Sequence, residues 1–403
     1  MKRVIIFCLL SGSIFNFAAA DEFRVNTFRS YDQTDAAVAM RPEGGFVVAW
    51  SSYRQDGSSN GIFAQRFDPN CEPAGDEIQI NTTLPGNQTE PTLAADGEGN
   101  FLVAWQGPGE DDEGDIFARR YFENGYPVYS EMHINDYTID RQLYPSAAVN
   151  EHGDFVIVWE SEGVADEGTK SICGRLYNSN GAAVSDEFII SESTTNGRYP
   201  DVAMDDSGSF AVVWMEDTDE NFIMSRLYNS GGSPKTDAFK VNTIGFGSVT
   251  MPSVAMDSAG YFVVAWDGDP ELASKDDIHA RLFDPNGAAL GEQFRVNALR
   301  DGTQQNPKAA MNDEGQIVIV WEGRPDLMVN NRDVFGRCFN FPDVPAGDEF
   351  QVNTYTENHQ RYPAVAIAGD GRIVIVWQSD EQDGSGYGVF GMVEYFSSIT
   401  GQE

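Results

Sequence analysis

FVVAW at residues 46–50 is an unbroken apolar run that ends in tryptophan. It returns as FLVAW (101–105), FVIVW (155–159), FAVVW (210–214), FVVAW (262–266), IVIVW (317–321) and IVIVW (373–377). The seven tryptophans of the chain, Trp50, Trp105, Trp159, Trp214, Trp266, Trp321 and Trp377, all fall in this run, and they are almost evenly spaced. Five apolar residues without a polar break suit a strand covered on both faces. A near-constant period of this kind is the mark of a repeat architecture, in which neighbouring units bury one another.

Three more segments recur around the tryptophan run. FRVN (23–26) returns as IQIN, MHIN, FIIS, FKVN, FRVN and FQVN (350–353), alternating like a half-buried strand. AVAM (37–40) returns six times and always keeps a small residue: Ala39, Ala94, Ala148, Ala203, Ala255, Ala310 and Ala366. IFAQRF (62–67) returns as IFARRY, ICGRLY, IMSRLY, IHARLF, VFGRCF and VFGMVE. Between the second segment and the tryptophan run lies a glycine in every copy (Gly44, Gly99, Gly153, Gly208, Gly260, Gly315, Gly371). In five copies Asp or Asn opens that turn, as tight hairpins require.

Seven units of four antiparallel strands predict an all-β fold, a seven-bladed β-propeller. Strands converge at a propeller axis, so the alanine-bearing segment is assigned to the inner strand. The FxVN segment is the outermost and belongs in space to the preceding blade. The last repeat therefore lacks an outer strand. Phe23 to Asn26 is expected to supply it by pairing with Val389 to Val393. An open solenoid is the alternative, but neither end of the repeat array carries an atypical polar cap.

Domain boundaries follow. Residues 1–20 read as a signal peptide: Lys2 and Arg3, an apolar stretch, then Ala18-Ala19-Ala20 at the cleavage point. The propeller is placed at 21–398, with repeats starting near 21, 76, 131, 186, 236, 292 and 348, and a polar tail at 399–403. The expected location is secreted or periplasmic, with no membrane span. Cys71, Cys173 and Cys338 are too few and too widely spaced for a disulfide framework. Cys71, in a turn, is expected to be exposed. Cys173 and Cys338, in distant repeats, are not expected to pair.

The stretches EFQVNT (349–354), HQRYPAVAI (359–367) and GRIVIVWQSDEQDGSGYGVFG (371–391) resemble a repeat found in large exported bacterial proteins. The resemblance covers essentially the whole chain after residue 20. It implies the propeller fold and no particular activity. The repeat is also loosely similar to the FG-GAP repeats of integrin α-chain propellers, whose Asp-rich hairpins bind calcium. That similarity implies Ca2+ as a possible cofactor.

The formal charge is −37, with 63 acidic residues against 26 basic ones. This excludes nucleic acid as a partner, because phosphate binding needs clustered Lys and Arg. Solubility, adaptation to salt water and cation binding are the readings left open. Seven copies in one chain separate scaffold from specialisation. The recurring Arg119, Arg175, Arg226, Arg281 and Arg337 read as structural, stacked on aromatics or paired between blades. The series Gln33, Gln88, Gln142, Gln304 and Gln360, and the prolines Pro91, Pro145, Pro200, Pro252, Pro307 and Pro363, read as shaping the crossing between blades. The variable segments lie just after each tryptophan. They hold 25 of the acidic residues and should make one face strongly negative.

Clustered carboxylates are what hard cations need. The metal candidates are Asp111, Asp112 and Asp115, then Asp217 with Asp219 and Asp380 with Asp383. No EF-hand, HExxH or G-x-S-x-G is present. The four histidines have no metal-ligand spacing. The chain thus reads as an exported, non-enzymatic, monomeric propeller that recognises an extracellular glycan or protein through its acidic loops. A carbohydrate-active hydrolase or lyase, with an acid–base pair among the carboxylates, is one alternative. A calcium-dependent structural surface or matrix protein is the other.

Overall fold

The computed structural model describes residues 22–401, apart from 84, 110–113, 192–195, 219–220, 244–248, 270–275, 300–301, 325–330 and 343. The proposed signal peptide lies outside the described residues. The chain forms seven antiparallel sheets arranged as the blades of a β-propeller. Blade 1 runs outward from its inner strand Gln33–Met40 through Phe46–Tyr53 and Asn60–Phe67 to the outer strand Ile78–Gln79. Blades 2 to 6 repeat this order, and blade 6 adds a short fifth strand, Val344–Pro345.

Blade 7 closes the ring. Its strands Gln360–Ile367, Arg372–Asp380 and Tyr387–Tyr395 take Phe23–Arg24 as their outer strand, with Phe23 opposite Gly391 and Arg24 opposite Phe390. Val25 N–H donates to Val389 O at 2.8 Å, and Asn26 Oδ1 accepts from Val389 N–H at 2.8 Å. Gly391 is a spatial requirement here, since a Cβ on it would meet the Phe23 ring at 2.9 Å. The ring thus closes on the expected segments. The last residues described form a short helix, Phe396–Thr400, which buries Phe396 and Ile399.

The core lies between blades. All seven tryptophans are at most 1% exposed. At about 25 cal/mol per Å² of apolar surface, each contributes a few kcal/mol. Each tryptophan packs into the interface of one blade with its neighbour: Trp266, for example, sits with Val213, Leu227 and Val241 of blade 4. The hairpin glycines all adopt left-handed φ, from 73° to 86°, and Asp96 Oδ1 accepts from the N–H groups of Glu98 and Asn100 as an Asx turn does.

The recurrent polar residues are scaffold. Arg119, Arg175, Arg226, Arg281 and Arg337 each donate to a carbonyl of the preceding blade's outer segment, 2.9 to 3.3 Å away. Each also lies over an aromatic ring two residues on. The asparagine of FxVN carries the outer strand: Asn135 Oδ1 accepts from Ile116 N–H at 2.8 Å, and Asn81, Asn242, Asn297 and Asn353 act alike. The glutamines open the inner strands, where Gln142 and Gln304 accept from the indole N–H of Trp159 and Trp321.

The prolines do not lie in the crossing. They sit inside the inner strand, in a β-bulge that recurs in every blade. In blade 3 the register jumps from Leu143–Glu160 to Ser146–Val158, so that Tyr144 and Pro145 together oppose Trp159. The same jump occurs opposite each of the other tryptophans. A bulge leaves one N–H out of the ladder, and proline has none to lose.

Candidate functional site

The residue that precedes the proline in each bulge is Asp35, Glu90, Tyr144, Tyr199, Met251, Asn306 and Tyr362 in blades 1 to 7 (blade 1 has Ala36 in place of proline). All seven are left-handed, with φ between 41° and 56°. For non-glycine residues this costs about 1–3 kcal/mol each, and such strain gathers where a side chain must be re-aimed. Here the seven side chains ring an axial cavity of about 520 Å³. Two residues deeper, Ala37, Thr92, Ser146, Asp201, Ser253, Lys308 and Ala364 line a second tier of the same cavity. Its volume falls in the range typical of small-molecule pockets. The ring lies near the strand end at which Gln33 pairs with Ser52, and so on the side where the crossing and post-tryptophan loops emerge.

Side chains from the preceding blade hold the ring. The residue after five of the seven tryptophans accepts the N–H of the bulge residue: Gln106 from Tyr144 at 2.9 Å, Glu322 from Tyr362 at 3.1 Å, Asp267 from Asn306 at 3.2 Å, Gln378 from Asp35 at 3.2 Å and Glu160 from Tyr199 at 3.4 Å. Glu322 is fully buried and is itself paired with Arg332 and Arg361. Glu160 is 2% exposed and pairs with Lys170 at 2.5 Å.

The ring is chemically lopsided. Asp35 and Glu90 are neighbours, flanked by Tyr362 on one side and Tyr144 on the other. Solvent reaches part of each carboxyl through the cavity, yet protein crowds both. Burial pushes Asp35 up, and burial with the Asp35 charge pushes Glu90 up to about 7, against the pull of Lys308. Burial also pushes Tyr144 up to about 12, with Tyr199 and Glu90 adding to it, so Tyr144 is a neutral phenol. The Tyr144 and Tyr199 rings meet edge to face, 4.9 Å apart at 62°. The Arg361 guanidinium lies over Tyr362, 4.7 Å from its centroid.

The loop carboxylates singled out as metal candidates are elsewhere. Asp111, Asp112 and Asp219 lie outside the described residues. Asp115 is 2% exposed and bonded to Asn135 Nδ2 at 2.6 Å and His133 Nε2 at 2.8 Å, so it braces the outer strand. Asp217 faces Arg198 at 3.4 Å. Asp380 ends a strand of blade 7, where its N–H donates to His359 O. Asp383 accepts weakly from Ser385 N–H through Oδ1, and its buried Oδ2 has no hydrogen-bond partner. Among the described residues no three His, Cys, Asp or Glu side chains form a group that could hold a metal ion. Cys71 is half-buried rather than exposed, with its Sγ 3.5 Å from Arg372, while Cys173 and Cys338 are buried and free.

The ring is hidden in the sequence because variation in loop length is the more visible difference between repeats. The signal is nonetheless present: the residue before each proline changes from blade to blade inside an otherwise recurrent phrase.

No family model matches the chain, so neither the exported bacterial repeat nor the FG-GAP resemblance is supported at the family level. No curated protein matches it either. Solved structures share the fold. A polysaccharide lyase of family PL25, an ulvan lyase, is 10% identical over 94% of both chains, with a TM-score of 0.54. The GH93 α-L-arabinofuranosidase of Fusarium graminearum is 11% identical over 94% of this chain and 98% of its own, at 0.53. A protein of unknown function from Dyadobacter fermentans is 8% identical over 93% and 98%, also at 0.53. At these identities the likeness is one of fold. No helix among the described residues is long and apolar enough to cross a membrane.

Proposed function

We propose that this chain is an exported propeller that binds an extracellular carbohydrate in its axial pocket. The observation that carries the reading is the bulge ring: seven structurally equivalent positions, each left-handed and facing the axis, hold five residue types, with tyrosine at three of them. A scaffold role would favour one residue throughout. Tyr144, Tyr199 and Tyr362 offer the flat apolar faces on which sugar rings stack. Asp35, Glu90 and Asn306 offer hydrogen bonds to hydroxyl groups. The glycan-related propellers among the structures of the same fold are consistent with such a ligand. The binding surface moves accordingly from the acidic loops to the pocket beneath them. A glycan array with the wild-type chain and a Tyr144→Ala/Tyr199→Ala variant tests this. Retention in the wild type and loss in the variant are expected; equal signals from both would sink the reading.

A second reading is hydrolysis. One observation favours it: Glu90 is held near neutrality beside a second carboxyl, as a general acid would be. New reducing ends on a polysaccharide panel, abolished by Glu90→Gln, would establish it. Calcium binding in the loops rests on the unpartnered Asp383 Oδ2. Metal analysis of the purified protein, with melting before and after chelation, tests that reading.

A further inference from the structure

We propose that the pocket is built for a cationic ligand, with an ammonium group held between the carboxyls of Asp35 and Glu90 and the ring faces of Tyr144 and Tyr199. On the carbohydrate reading above, from which this inference starts, the ligand is an amino sugar with a free amine. Neutral, N-acetylated and uronic sugars are disfavoured.

The charge of the lining argues for it. Asp35, Glu90 and Asp201 face one cation, Lys308. Asp201 is already engaged, accepting from Ser146 Oγ at 2.6 Å and Val254 N–H at 2.9 Å. Asp35 has one side-chain partner, Thr34 Oγ1 at 3.0 Å. Among the described residues the Glu90 carboxyl has no hydrogen-bond partner. Two adjacent carboxyls of the same bulge ring, in a crowded cavity, need a proton or a cation between them. A uronate would add a third negative charge there, with Lys308 the one cationic side chain among the described lining residues to receive it.

The aromatic side agrees. Two tyrosine rings at 62° form a notch next to Glu90, and an ammonium over a ring face gains about 0.5–2 kcal/mol. Tyr362 already carries a cation, Arg361, on one face. That contact shows the ring's affinity for positive charge and leaves the Tyr144–Tyr199 notch for the ligand.

Proton linkage gives an independent readout. Glu90 is faced by Asp35 and Lys308 and lies close enough to influence Tyr144 and Tyr362; Tyr362 is faced in turn by Arg361 and Glu322. The two tyrosines stay neutral near pH 6.5, which leaves the paired carboxyls to exchange protons. A cation placed beside Asp35 and Glu90 favours their ionised forms, so its binding near pH 6.5 drives protons off the carboxyls, while a sugar amine that is partly deprotonated at this pH takes protons up; the carboxyl share is the part that Glu90→Gln removes.

The test is calorimetric titration of the folded chain at pH 6.5, in two buffers of different ionisation enthalpy. The probes are a glucosamine hexamer, an N-acetylglucosamine hexamer and a galacturonate hexamer. The expected result is at least tenfold tighter binding of the glucosamine hexamer, with proton release from the carboxyls read as the difference in proton exchange between the wild type and Glu90→Gln. Glu90→Gln and Asp35→Asn should each lose about tenfold in that affinity and lose the proton release. Asp217→Asn, a surface charge outside the pocket, should lose neither, which separates pocket binding from attraction of a polycation to an acidic surface. Equal binding of the glucosamine hexamer to wild type, Glu90→Gln and Asp35→Asn overturns the proposal. Tighter, tyrosine-dependent binding of the N-acetylated or galacturonate hexamer overturns it too, while the carbohydrate reading stands. If none of the three binds and the glycan array is blank as well, both fall.

Discussion

The backbone N–H of Asp35 donates to Oε1 of Gln378 at 3.2 Å, although 343 positions separate the two residues. The bond crosses the seam where blade 7 meets blade 1. It repeats the contact by which Gln106 holds Tyr144, so the seam carries the same interblade contact as the junction of blades 2 and 3.

Asn26 should be the weak point of that seam. Its Oδ1 serves Val389 N–H, and its Nδ2 serves Gln33 Oε1 at 2.9 Å and Phe28 O at 2.6 Å, just beyond an outer strand of only two residues, Phe23–Arg24. Asn26→Ala leaves a buried N–H without an acceptor and should cost about 1–3 kcal/mol. Asn297→Ala removes the matching bond from a mid-ring blade at a similar local cost. In urea unfolding both midpoints should fall. Faster hydrogen exchange in Tyr387–Tyr395 should be seen for Asn26→Ala alone.

Glu90 sets a pH dependence. Its folded pKa, about 7, lies above the ordinary carboxylate value, so between roughly pH 4.5 and 7 the native state holds a proton that the unfolded state has lost. Stability must then fall as pH rises through this window. Glu90→Gln cannot titrate. Its stability relative to wild type should rise by on the order of 1–2 kcal/mol between pH 4 and pH 8, allowing for partial solvation from the cavity. Denaturant midpoints at the two pH values check this; a flat difference would refute the assignment.

Glu322 holds Tyr362 through its backbone and is held by two arginines. Glu322→Leu removes a fully buried charge from between Arg332 and Arg361 and should destabilise the fold by about 3–5 kcal/mol. Glu322→Gln keeps the acceptor for Tyr362 N–H and should cost less. Thermal unfolding of the two variants distinguishes loss of charge from loss of the hydrogen bond.

The thiols should differ in reactivity. Burial pushes Cys338 up to about 12 and Cys173 higher still, whereas Cys71 is half-buried in a turn beside Arg372. In a chain that starts at residue 21 and so lacks Cys8, alkylation of the native protein at pH 8 should label Cys71 alone, and labelling in denaturant should add Cys173 and Cys338. Intact-mass measurement counts the adducts.

These features were legible in the sequence to different degrees. The tryptophan period revealed seven blades because every interface needs the same large apolar plug. The unpaired FxVN at the start revealed how the ring closes. The prolines misled, because a proline before a hydrophobic strand reads as a linker signal, while here it fills the second place of a bulge. The ring hid for a related reason: Asp35 and Glu90 come from neighbouring blades, a full repeat apart in the chain, and only the axis brings them together. Asp115 showed the opposite failure, an acidic-looking loop residue whose charge serves Asn135 inside the blade.

The repeated bulge makes the pocket combinatorial. Every position that faces the axis is presented by its own backbone kink, and in five blades one neighbouring side chain fixes that kink in place. Specificity is thereby separated from folding: the frame stays constant while seven sites, scattered from Asp35 to Tyr362, vary on their own. A lineage of such chains can change ligands by point substitution alone, without lengthening a loop or opening the ring.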